Sequence, residues 1–81
     1  MEKDRLIKAL RSYAIYVKNA REDPNSMVNE EAVFVAAHML KILTGISSVD
    51  LWRTAVTVLD EGYNEDQIGI EMYNKFKDRI Q

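Results

Sequence analysis

Apolar residues recur along this chain at steps of three and four, and polar punctuation breaks the pattern three times. In the first stretch Leu6, Leu10, Tyr13, Val17 and Ala20, with Ile7 and Ala14 beside them, predict a helix over about residues 4–21. The "EDPNS" that follows ends it. Proline disfavours helical geometry in the residue before it, and Asn and Ser suit turns.

The second helix is expected over about 29–44. Asn29 is placed to cap its first turn, Glu30 and Glu31 sit favourably against the helix dipole, and Val28 and Val33 have the spacing of a hydrophobic staple. In "KILTGI", Gly45 can take the left-handed conformation that stops a helix, and Ile46 can fold back over the last turn.

A third helix over about 48–61 opens at "SSVD", where Ser47 and Asp50 have capping-box spacing and Ile46 and Leu51 staple spacing; Gly62 closes it. The β-branched residues of "RTAVTVL" favour strands. The segment reads as helix because Leu51, Trp52, Ala55, Val56, Val58 and Leu59 gather on one face, opposite Asp50, Arg53, Thr57 and Asp60. A fourth helix over about 65–80 begins after Asn64, which pairs with Gln67 in a capping box, and carries Ile68, Met72, Phe76 and Ile80 at steps of four.

Short connections between four helices predict an all-α fold, a compact antiparallel four-helix domain spanning residues 1–81. Helix two, apolar almost all round, is expected to be the most buried. The expected core is Leu10, Tyr13, Val17, Val33, Ala36, Leu40, Leu43, Trp52, Val56, Leu59, Met72 and Phe76.

Some apolar residues do not fit a single core-facing stripe. Ile15 falls among Asp4, Lys8, Arg11, Lys18 and Asn19 on helix one, with Tyr16 bordering that sector. Phe34 sits within the polar stripe of Glu30, Glu31, His38 and Lys41, and Ile70 lies beside Asp66, Asn74 and Lys77. Either helix two is central and Phe34 is buried, with Ile15 and Tyr16 beneath the Pro24 connection, or these residues face another chain. Apolar residues ringed by charge are what an interface centre needs, so Ile15, Tyr16, Phe34 and Ile70 are the expected partner-binding residues.

Composition narrows the chemistry. The 81 residues are 47% apolar and 30% charged, as in a globular protein, and hold no cysteine. Disulfides, zinc–thiolate sites and thiol nucleophiles are thereby excluded, and a reducing, cytoplasmic setting is expected. No apolar run approaches the roughly 20 residues that span a bilayer, and "MEKDRLIKAL" lacks the apolar core of a signal peptide, so no membrane role is expected.

The stretch "DEGYNEDQIGIE" has the length of a calcium loop, but it places Gly62 at a ligand position and Glu65 where the turn glycine belongs. His38 is the single histidine, with Glu31 as its one nearby carboxylate, too few ligands for a metal. The serines read as surface, turn or cap residues, and the three glycines are isolated, so no phosphate loop is formed. The expectation is a non-enzyme without cofactor or metal: a protein-interaction or regulatory module that binds a protein partner or a second copy of itself.

Charge suggests an alternative. Residues 1–21 carry six basic and two acidic side chains, 22–74 two and ten, and 75–81 three and one. If helices one and four pack antiparallel, Lys3, Arg5 and Lys8 approach Lys75, Lys77 and Arg79. That basic patch would suit a small nucleic-acid-binding accessory protein. The interspersed Glu2, Asp4 and Asp78 and a pI of about 5.3 weigh against nucleic acid as the partner.

Overall fold

A computed structural model describes residues 2–80 as four helices: α1 (Lys3–Glu22), α2 (Met27–Thr44), α3 (Ser48–Asp60) and α4 (Glu65–Phe76). The radius of gyration, 11.6 Å, is close to the ~12 Å expected of a compact chain this long. The all-α, four-helix fold is as the pattern predicts.

Local signals set most boundaries. Ser47 Oγ accepts a hydrogen bond from the Asp50 amide at 3.2 Å, and Asn64 Oδ1 accepts one from the Gln67 amide at 3.1 Å. Each satisfies an amide that the first helical turn leaves without a partner. Gly45 ends α2 at φ 77°, and its N–H donates to Lys41 O at 2.8 Å. Ile46 then folds back into the core, while the Thr44 hydroxyl donates to Leu40 O at 2.6 Å and accepts from the Ile46 amide at 3.2 Å.

Two ends differ from expectation. Ser26, not Asn29, caps α2, accepting from the Asn29 amide; starting there adds helical residues at the N-terminus and leaves Val28 exposed rather than stapled to Val33. Helix α4 stops at Phe76, short of Ile80. A turn follows, in which the Arg79 amide donates to Phe76 O, and it brings Ile80 back against the core.

The central helix is α1. It rests on α2, α3 and α4, burying Leu6, Leu10, Tyr13, Ala14 and Val17, whereas α2 and α4 do not touch among the described residues. The closest seam is α1 against α4. The Lys3 ammonium lies over the Tyr73 ring, Ile7 and Arg11 press on Gly69, and Arg11 Nε donates to Glu65 O at 3.0 Å. Positions rise along α1 as they fall along α4, so the two run antiparallel.

Gly69 allows that approach. A Cβ there would come within 2.5 Å of the Ile7 carbonyl oxygen and 2.9 Å of Arg11 Cβ, closer than packed atoms come. By contrast, α2 and α3 meet at a bend of 110°, far from an antiparallel pair.

This topology overturns the expectation that helix two is most buried. Packed chiefly along α1, α2 buries only Ala37, Leu40 and Thr44, with Val33 and Ala36 partly covered. Leu43 and Trp52, expected in the core, are 45% and 40% exposed. Their helices cross at the bend, so the sides carrying them have no facing element. The core instead includes Leu51, Ala55, Val58 and Ile68, none of them in the expected core.

Candidate functional site

Among the described residues, eleven large apolar side chains are exposed, and nine lie on α2 and the first turns of α3. On α2 these are Met27, Val28, Phe34, Val35, Met39, Ile42 and Leu43, each between 45% and 77% exposed. On α3 they are Val49 and Trp52. Scattered apolar residues are ordinary on a protein surface; concentration on adjacent helices is not.

The surface has two parts. Where α2 and α3 diverge over α1, a groove of about 490 Å³ opens, with Phe34, Val49 and Trp52 among the residues that line it and Tyr13, Val33 and Ala37 beneath. Asp23, Glu30 and Arg53 supply charge to its lining. Burial beneath this apolar lining pushes the Tyr13 phenol up to about 12.

The second part follows from helical geometry. At 100° per residue, Val28, Val35, Met39 and Ile42 fall on the side of α2 away from Ala37, Leu40 and Thr44, with Ala32 between them and partly covered. Their spacing, 28–32–35–39–42, alternates steps of four and three.

Of the residues anticipated from sequence, Phe34, Tyr16 and Ile70 are exposed and Ile15 is partly buried. They do not form one site. Phe34 joins the groove, Ile70 lies on α4, which makes no contact with α2, and Ile15 and Tyr16 belong to α1. The outer stripe of α2 is not singled out by the sequence reading, because a helix apolar almost all round is expected to be the most buried. The alternation of four and three, running beside a second apolar stripe through Val33, Ala36, Ala37 and Leu40, was the signal available.

The α1–α4 seam brings Lys3 to Tyr73, near the end of α4, but several basic side chains of the two ends have partners of their own. Arg79 holds Asp50 at 2.7 Å, Lys75 holds Glu61 at 3.4 Å and Arg5 holds Glu2 at 3.3 Å, while Lys3 covers Tyr73. The hydrogen bond from Arg79 keeps the Asp50 carboxyl below its usual range. Lys8 and Lys77 are exposed. Charge is thus spread across paired groups rather than concentrated into a stripe.

His38 is exposed on α2, and among the described residues no three His, Asp or Glu side chains converge as metal ligands would. No single helix is long and apolar enough to cross a membrane. No protein-family model matches the chain, and no curated protein or solved structure shows significant similarity to it.

Proposed function

We propose that this chain is a non-catalytic protein-interaction or regulatory module, and that α2 with the start of α3 is its binding surface. One observation carries the reading: the helix richest in apolar residues has the least cover. Leaving Val28, Phe34, Val35 and Ile42 in water stabilises nothing in the isolated fold, whereas covering each is worth roughly 1.5–3 kcal/mol. A groove flanked by Phe34 and Trp52 adds the kind of aromatic anchor on which binding energy concentrates.

The test uses the whole chain as immobilised bait in an extract of its own cells, beside Phe34→Glu and Ile42→Glu variants. The expected outcome is a polypeptide retained by the wild type and lost from both variants, while their circular-dichroism spectra and melting temperatures stay near the wild-type values. Equal retention by all three baits refutes the reading. Unfolding of either variant refutes the assignment of that residue to an open surface.

A further inference from the structure

Resting on that reading, we infer that the outer stripe of α2 is a self-association seam, and that its occupant is α2 of a second copy in antiparallel, two-fold pairing. Alternating steps of four and three from Val28 through Ala32, Val35 and Met39 to Ile42 are the a/d spacing of a helix that packs lengthwise against another helix. The stripe covers two heptads, drifting about 20° per heptad as a seam between supercoiled helices does, and ends near the end of α2. Two such stripes are self-complementary, as a two-fold interface requires.

Exposure supports a stable pair. Val28, Val35, Met39, Ile42 and Leu43 are each at least 45% exposed, and pairing two copies would cover all five on both, giving the apolar centre that a stable interface needs. Charge supports the orientation. Glu31 and His38 lie on the same edge of the stripe, seven residues apart. Antiparallel pairing centred between them sets each Glu31 beside His38 of the partner subunit and opposes the two helix dipoles; parallel pairing would set both against the other edge of the stripe, where Asn29, Ala36 and Leu43 lie, and align the dipoles. That register stacks Val28 on Met39 of the partner subunit and Ala32 on Val35 of the partner subunit. A lipid surface is a poorer fit, because helices that lie on membranes carry Lys and Arg on the polar face, and this one carries Glu30 and Glu31 against Lys41.

Light scattering on the purified chain at two widely separated concentrations tests the pairing. The expected mass is twice the 9.4 kDa of the monomer when concentrated, falling on dilution. Val35→Glu and Ile42→Glu are each expected to remain at the monomer mass with unchanged helical signal. Ile70→Glu, on a helix that does not touch α2, is expected to associate as the wild type does.

His38→Glu sets two carboxylates against each other and is expected to weaken association at least tenfold, with Glu31→Lys restoring it in the double variant. Without that loss and rescue, the antiparallel register is wrong. A wild type that stays monomeric at both concentrations overturns the second copy. If its α2-dependent capture of another polypeptide then persists, the interaction-module reading survives; if that capture is also absent, both fall. Binding of the monomer to phosphatidylcholine–phosphatidylserine vesicles, abolished by Val35→Glu, would replace the second copy with a membrane surface.

Discussion

Helices α1 and α2 are nearly the same length, 20 and 18 residues, yet the more polar one forms the centre of the molecule. Charged residues recur along α1, among them Lys8, Arg11, Lys18 and Arg21, but its apolar stripe has three helices to pack against and five of its residues are buried. The apolar residues of α2 run almost all round it. With α1 as its main neighbour and the chain leaving at a 110° bend, most of them remain in solvent. Apolar content states how much surface a helix would gain by covering; the number of neighbours states how much is covered. The excess on α2 is the observation on which the proposed binding surface rests.

Mutations can break this comparison. Leu10→Ala removes a fully buried side chain at the centre of α1 and is expected to cost about 2–5 kcal/mol, enough to lose most of the cooperative thermal transition. If the cost is below about 1 kcal/mol, α1 is not the structural centre.

Gly69→Ala comes next. It gains helix propensity but drives a methyl group into the Ile7 carbonyl, and because that atom is backbone the α1–α4 seam must open. A net loss of about 1–3 kcal/mol is expected in urea unfolding. A gain in stability would mean that the two helices separate without cost.

Ile42→Ala should have the smallest effect. In dilute, monomeric protein it is expected to change unfolding free energy by no more than about 0.5 kcal/mol, the range for surface substitutions. At concentrations where the chain associates, the wild type should gain apparent stability that the variant does not, since binding the folded state stabilises it. Equal destabilisation at both concentrations would make Ile42 part of the monomer core.

The parts of the fold readable from sequence are those decided within a few residues. Ser47 before α3, Asn64 before α4 and Gly45 after α2 act through hydrogen bonds spanning three or four positions, so the letters alone identify them. Even there one start was misplaced: Asn29 was expected to cap α2, and Ser26, three residues earlier, caps it. For the candidate surface, Phe34 stood out because its neighbours on the helix are charged. Val28, Val35, Met39 and Ile42 did not, because an apolar residue on an apolar helix looks the same whether a neighbour covers it or not.

By itself, then, the sequence determined four helices, the caps of α3 and α4, the stop at Gly45 and the amount of apolar surface each helix would carry, since periodicity and capping are local physics. Tertiary structure alone decided which helix would be central. The fit of Gly69 under Ile7 draws α4 onto α1, and the bend after Gly45 sends α3 across rather than along α2. The first relates segments distant in the chain, the second is the angle between consecutive helices that no local pattern sets, and together they leave one face of an apolar helix uncovered.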